Sequence, residues 1–206
     1  TKAWEQDQFS YAGQFHSYEN VTVVPKPFQK PYPPITVAVA GEETFPLIGS
    51  MGHSIFASMN TPREQLIERL ASYKKSRKEA GISEAGGISI RVPVYVAETR
   101  NRAHSEPEES ARHALSYAAQ ELSQTAASAE AANRMHRMAN MPYSEILANR
   151  VLYGTPDEVV DRLKGLQEEL GINGIVMECN YGGRIPYERV INSLRLLSEQ
   201  VVPNFK

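Results

Sequence analysis

The chain has 206 residues, of which 41% are hydrophobic and 22% charged, a globular composition that excludes wholesale disorder. Lys and Arg number 22 against 24 Asp and Glu, a net charge of −2, so no cationic surplus supports binding to nucleic acid. A single cysteine precludes an internal disulfide. With no apolar run near the roughly 20 residues of a membrane helix and no charged-then-apolar leader, the expectation is a cytoplasmic chain with no membrane partner.

In chain order, the first signals are two extended patches within residues 9–28, YAGQFHSY and VTVVPKP, which predict a β-hairpin. Pro25, Pro27, Pro31, Pro33 and Pro34 then keep the chain extended. Residues 35–40 (ITVAVA) and 54–57 (SIFA) read as strands, rich in β-branched and small apolar side chains. Thr61-Pro62-Arg63-Glu64 predicts a helix start, with Thr61 as cap, Pro62 at the first helical position and Glu64 closing a capping box. Leu66, Ile67, Leu70 and Tyr73 follow at helical spacing. Residues 88–97 (ISIRVPVYVA) read as a third strand, and Ser105-Glu106-Pro107-Glu108 as a second helix start.

Residues 126–149 are rich in Ala, Ser, Asn and Met without clear periodicity and read as a mobile loop. Thr155-Pro156-Asp157-Glu158 is the third helix start, with Val159, Leu163, Leu166 and Leu170 on one face and Gly171 as a stop. Residues 174–179 (GIVMEC) form the last strand, and a helix follows Pro186. Strands alternating with capped helices predict βα units and a parallel sheet. Four such units fit a doubly wound sheet as well as part of a (β/α)8 barrel, whose full form needs about 250 residues.

Two places carry candidate chemistry. The first is the turn Ala40-Gly41-Glu42-Glu43-Thr44, where a strand ends and a helix begins. Free N–H groups at a helix start form an anion site, Gly41 admits close approach, and the Thr44 hydroxyl is a further donor. Glu42 and Glu43 equally suit a helix start that holds no ligand. Neither GxGxxG nor GxxxxGK[ST] occurs.

The second place is the pair of strands at 88–97 and 174–179. Alternation puts Arg91, Pro93 and Tyr95 on one face, and Glu178 with Asn180 on the corresponding face of the last strand. Arg91 and Glu178 are therefore expected to meet, as a structural ion pair or as a reacting pair. The five histidines show no metal-ligand spacing, so no metal is expected. His113 reads as a helix-surface residue and Cys179 as a core residue.

Together these stretches resemble the bacterial luciferase-like flavin-dependent monooxygenases. FSYAGQFHSYENVTVVPKPFQKPYPPITVA is similar to that family's hairpin and proline run into its fifth strand. AGEETFPLIGSMG resembles its phosphate turn, RVPVYVAET its seventh strand, and GTPDEVVDRL with GGRIPYERVINSLRLLSEQVVPNF its closing helices. The resemblance implies an α/β fold, a luciferase-like (β/α)8 barrel of which residues 1–206 match only the C-terminal half, strands five to eight with an inserted hairpin.

It further implies that Ala40, Gly41, Glu42, Glu43 and Thr44 bind the FMN phosphate, although the family often has Ser where this chain has Gly41. Phe56, Ser58 and Met59 would lie beside the flavin ring or substrate, with Glu178 and Asn180 in the same pocket. The catalytic residues are left unknown. The implied reaction oxidises a small organic substrate with reduced FMN and O2, a flavin reductase being one source of reduced flavin and a homo-oligomer the expected full-length assembly. The alternatives are a deazaflavin-dependent oxidoreductase, a non-catalytic flavin-binding relative, and a mere folding fragment.

Overall fold

The computed structural model describes residues 1–83, 86–124 and 129–205, and the chain divides into a unit of residues 1–36 and a unit of residues 37–206. In the first unit α1 (Lys2–Glu5) precedes β1 (Phe9–Ala12) and β2 (Ser17–Val21), which pair antiparallel with Phe9 opposite Val21 and Tyr11 opposite Tyr18. The Gly13 N–H closes the turn onto the His16 carbonyl at 2.9 Å. The second strand lies earlier than VTVVPKP suggests, because Pro25 and Pro27 have no N–H to give a ladder. Lys26 Nζ instead donates to the carbonyls of Ala3 (3.1 Å), Gln6 (2.6 Å) and Asp7 (3.3 Å).

The second unit runs β3 (Thr36–Ala38), α2 (Thr44–Met51), β4 (Ser54–Ser58), α3 (Arg63–Glu79), β5 (Ile88–Val96), α4 (Arg100–Ser105) and α5 (Glu108–Gln124). It continues through α6 (Ala129–Ala139), α7 (Tyr143–Asn149), β6 (Leu152–Gly154), α8 (Pro156–Leu170), β7 (Gly174–Glu178) and α9 (Tyr187–Leu196). A π-helical turn at Leu197–Val201 and a 3-10 turn at Val202–Phe205 extend the last helix past Pro203. β3 is shorter than residues 35–40 suggest: Pro33 and Pro34 precede it, and the Ala40 carbonyl is taken by Arg69 Nη1 at 2.9 Å.

The sheet order is β3-β4-β5, with β7 on β5 as well. β4 and β7 both pair parallel with the first half of β5, placing Ser58 opposite Arg91 and Glu178 opposite Pro93. The C-terminal end of β5 pairs parallel with β6, Tyr95 opposite Tyr153. β6 has no counterpart among the sequence-predicted strands. Three residues are too few for a period-2 pattern, and pairing to β5 alone makes them a strand.

β5 alternates as expected. Ile88, Ile90, Val92, Val94 and Val96 are buried against Leu66 and Leu70 of α3 and Val159, Leu163 and Leu166 of α8. The other sheet face is more open: Thr36 and Ala38 are exposed, Ser89 and Arg91 are partly buried, and Val176 is 47% exposed. A second cluster joins Tyr95, Ala111, Leu115, Ile146, Tyr153, Tyr181 and Ile185, beyond the C-terminal end of β5.

The capping box at Thr155 forms with both bonds, and Gly171 ends α8 at φ 64°. The expected box at Thr61 does not form. α3 starts from Pro62 in extended geometry without a side-chain cap, and the Thr61 N–H turns back to the Ser58 carbonyl at 3.2 Å. The stretch read as a loop over 126–149 carries α6 and α7, residues 126–128 lying outside the described residues. Its Ala, Met, Glu and Arg content favours helix, and Met138, Met141, Tyr143 and Leu147 supply apolar contacts to the second cluster. Met135, Met138 and Ala139 of α6 recur at helical spacing and are partly buried.

Two expected results belong to this framework. α2 crosses α3 closely at Gly49, where an added Cβ would lie 2.6 Å from the Tyr73 carbonyl oxygen and 2.1 Å from Ser76 Oγ. Gly49→Ala should therefore lower the unfolding free energy by about 1–3 kcal/mol in urea denaturation, an overpacking cost. An unchanged midpoint would mean that the helices separate freely.

Glu106 accepts from the Tyr95 hydroxyl at 2.5 Å and from Arg102 Nε at 2.8 Å. Burial opposes ionisation of Glu106. The Tyr95 and Arg102 hydrogen bonds, with the charges of Arg102 and Arg189, outweigh it and hold the carboxyl below its ordinary range. A depressed carboxylate stabilises the fold above its unfolded pKa and loses that contribution as pH falls through its folded pKa. Glu106→Gln should flatten the fall of the thermal midpoint on acidification, and an acid limb as steep as the parent's would remove Glu106 from that role.

Candidate functional site

The turn after β3 places Gly41, Glu42 and Glu43 at the start of α2. The first N–H groups of a helix have no intrahelical acceptor, and no side chain caps those of α2. Thr44 Oγ1 donates to the Gly41 carbonyl at 2.5 Å, and the Thr44 N–H reaches the same oxygen at 3.1 Å. The Thr44 hydroxyl proton is thus spent on the turn, which corrects its expected use as a direct donor to phosphate. Glu43 folds its carboxylate over Gly41, with Oε1 2.4 Å from where a Cβ would stand. A serine at position 41 would meet that carboxylate, so glycine and Glu43 fit each other here. Arg69 on α3 holds the Ala40 carbonyl and brings a guanidinium to the end of β3. The N–H groups ahead of α2 and the Arg69 cation suit an oxyanion, but Glu43 covers Gly41, so its carboxylate must swing away, and Glu42 stay turned out, before an anion can approach.

At the C-terminal end of the strands, Arg91 Nη2 donates to Glu178 Oε1 at 2.5 Å. The register puts Val176 opposite Arg91, so the guanidinium reaches one two-residue step diagonally across the sheet face. The side chains are 39% and 32% exposed, which makes this a solvated pair and lowers its expected worth to about 1 kcal/mol. Glu178→Gln should accordingly shift the urea midpoint only slightly. A loss of several kcal/mol would show that the pair is shielded from water.

This ion pair lines a cavity of about 380 Å³ together with Asn60, His113, Tyr117, Tyr181 and Gly182. The wall is built by the turn after β7. Ser110, 2% exposed, donates to the Tyr181 carbonyl at 2.6 Å and accepts from the Arg184 N–H at 2.9 Å. His113 Nδ1 lies 3.3 Å from the Gly182 carbonyl. His113 is thus half-buried against a turn and corrects its expected place on a plain helix surface. Burial and the Glu178 charge raise the Tyr181 pKa, so its phenol is neutral near pH 7.

The other expected pocket residues are placed differently. Asn180 Oδ1 accepts the Ile185 N–H at 3.1 Å, closing the turn. Ser58 Oγ accepts the Asn60 N–H at 3.2 Å, Met59 is 7% exposed in the core, and Phe56 is partly buried. The end of β4 reaches the cavity through Asn60 and not through those three. Cys179 packs against the core, where burial pushes its thiol pKa up. Among the described residues, the Tyr153 hydroxyl is a buried side-chain oxygen without a partner, and no three His, Cys, Asp or Glu gather as a metal site. No helix among them is long and apolar enough to cross a membrane.

The sequence profile described as luciferase-like monooxygenase matches residues 1–174. The chain belongs to the luciferase-like monooxygenase family. Solved structures agree on its α/β fold. Monooxygenase RslO1 from Streptomyces bottropensis is 24% identical with a TM-score of 0.77, covering 100% of this chain and 58% of its own. The oxygenating constituent of 3,6-diketocamphane monooxygenase from Pseudomonas putida, solved with FMN, is 17% identical with a TM-score of 0.76, covering 100% and 60%. An F420-dependent secondary alcohol dehydrogenase, solved with an F420-acetone adduct, is 16% identical with a TM-score of 0.69, covering 100% and 58%. This luciferase-like chain therefore spans about 60% of the length of such structures. No curated protein matches it.

Within this luciferase-like chain, Arg69 beside the turn and Asn60, His113, Tyr117 and Tyr181 at the cavity are candidate site residues that sequence reasoning missed. His113 and Tyr117 stand one helical turn apart on α5, a visible pairing. That their face meets the turn after β7 depends on the fold.

Proposed function

We propose that this chain supplies the cofactor-phosphate turn and one wall of the substrate pocket of a flavin-dependent monooxygenase, as strands five to eight of a (β/α)8 barrel. The turn at Ala40–Thr44 carries the proposal: no side chain caps the start of α2, Gly41 has only the movable Glu43 side chain over its backbone, and Arg69 adds a cation. The strands β3, β4, β5 and β7 join the sheet in chain order without the reversal of a doubly wound sheet, which supports the barrel reading. The FMN in the 3,6-diketocamphane monooxygenase structure supports a flavin, and the F420 adduct in the alcohol dehydrogenase keeps a deazaflavin as the second choice.

Bound in reduced form, FMN would supply the electrons that activate O2 for oxidising a small organic substrate. The backbone N–H groups of Gly41, Glu42 and Glu43 would hold the phosphate, and Thr44 would keep their turn in shape. Arg91 and Glu178 would present hydrogen-bonding groups at the mouth, while His113 and Tyr117 of α5 would limit water there. A flavin reductase, a homo-oligomer and a cytoplasmic location belong to the same proposal.

FMN titration by fluorescence quenching, in the polypeptide with its complete barrel, tests it. Arg69→Gln should weaken FMN binding by about 1.5–3 kcal/mol, the value of a hydrogen bond to a charged group, and Thr44→Ala, which removes only the bond that shapes the turn, by about 0.5–1.5 kcal/mol. Parent-like affinity in both variants would remove the turn from the site. Tighter binding of F420 than FMN, with no oxygen consumed, would favour the deazaflavin reading.

A further inference from the structure

We infer that the cavity beside Arg91 and Glu178 takes a neutral, planar aromatic alcohol, a ligand of the phenol class, with His113 Nε2 accepting its hydroxyl and Tyr117 stacking on its ring. This deepens the substrate side of the proposed function and rests on that site being the substrate pocket.

Three observations converge on it. The first is the His113 ring. Its Nδ1 faces the Gly182 carbonyl at 3.3 Å, and a carbonyl only accepts, so Nδ1 carries the hydrogen. In the neutral ring Nε2 is then left as an acceptor. The Gly182 turn is held rigid on α5 by both bonds of Ser110, so the imidazole has a fixed support.

The second is the aromatic surface. His113 and Tyr117 stack with ring centroids 6.1 Å apart and planes inclined by 28°. Tyr117 is nonetheless 57% exposed and lines the cavity. Flat π surfaces pair best with flat π ligands, offset or edge-on. Tyr181 lines the same cavity, held neutral by burial and by Glu178.

The third is charge. The one cation and one anion of the cavity wall, Arg91 and Glu178, are bonded to each other at 2.5 Å. A carboxylate ligand would have to displace Glu178 or lie against it, and an ammonium ligand would meet Arg91. A neutral ligand leaves the pair intact. The volume of about 380 Å³ holds one or two fused rings.

Binding of small probes to the cofactor-free polypeptide with its complete barrel tests the inference without any turnover. The probes are phenol, toluene, cyclohexanol and benzoate, followed by ligand-observed NMR and by the His113 ring signals. Phenol should bind most tightly and shift the His113 signals. Toluene lacks the hydroxyl and cyclohexanol the flat ring, and each should bind about three- to tenfold more weakly. Benzoate should bind most weakly.

His113→Phe keeps an aromatic ring and removes the acceptor, so it should cut phenol affinity about three- to tenfold and leave toluene unchanged. Tyr117→Leu should weaken phenol and toluene alike. Equal binding of phenol and cyclohexanol, or parent-like phenol affinity in His113→Phe, would overturn the inference, as would preference for benzoate. FMN titration reads the separate turn at Ala40–Thr44, so failure there with success here, or the reverse, tells the two proposals apart.

Discussion

Gly182→Ala should lower the unfolding free energy by about 3 kcal/mol or more, a large share of a typical domain's stability. Gly182 sits at φ 88°, a left-handed conformation that L side chains rarely adopt. An added Cβ would lie 2.0 Å from the Ser110 carbonyl oxygen and 2.8 Å from its carbon. Backbone is the obstacle, and the Ser110 backbone belongs to α5, so relief requires moving the helix or the turn. Either movement breaks the Ser110 bonds to Tyr181 and Arg184 and pulls His113 from the Gly182 carbonyl.

Urea denaturation of the polypeptide with its complete barrel, followed by circular dichroism, gives the first readout. Ser110→Ala alone should cost about 1–3 kcal/mol, from the two groups left without a partner. Gly182→Ala combined with Ser110→Ala should not recover stability, because the carbonyl remains in place. A Gly182→Ala loss below about 1 kcal/mol, or rescue by Ser110→Ala, would show that the turn adapts and that the cavity wall is soft.

The second large effect concerns the 206-residue chain expressed by itself. As part of a proposed barrel, the five-stranded sheet ends at β3 on one side and at β6 and β7, both paired to β5, on the other. Each edge presents backbone N–H and C=O groups that closure would pair. The face opposite the helices is also incompletely covered, with Thr36 and Ala38 exposed and Val176 at 47%. The chain alone should therefore associate or precipitate and bind FMN poorly, and coexpression with the residues of a first half-barrel should restore a soluble flavoprotein. Light scattering coupled to size-exclusion chromatography, with flavin absorbance, measures both. A soluble monomer with tightly bound FMN would overturn the half-barrel proposal while leaving the turn at Ala40–Thr44 in place.

Local chemistry decided a good part of this structure, and the sequence shows it. The Thr155–Glu158 capping box and the Gly171 stop involve only neighbours in the chain, so they are readable by eye and they form. The alternation of β5 likewise foretells the faces of its side chains, with Ile88, Ile90, Val92, Val94 and Val96 on the helix-side core, and with the same count on the last strand it brings Arg91 to Glu178; that Pro93 and Tyr95 are buried too is a tertiary effect. The family is legible for a similar reason: several local stretches occur in a set order along the chain.

Tertiary structure decided the rest. Thr61 has the same capping letters as Thr155, yet its N–H turns to Ser58 at the end of β4, and the helix begins without the box. β6 is three residues that become a strand only beside β5. The apolar residues Met138 of α6 and Tyr143 and Leu147 of α7 pack on the second cluster, which supplies the contacts that order these helices. The proton of Thr44 goes to Gly41, the carboxylate of Glu43 covers the same glycine, and His113 leaves the helix surface for the turn after β7. Each of these depends on an atom whose position comes from how the chain folds back on itself. Spacing along a helix or strand ranks the faces of one element, but it carries no information about which turn arrives against them.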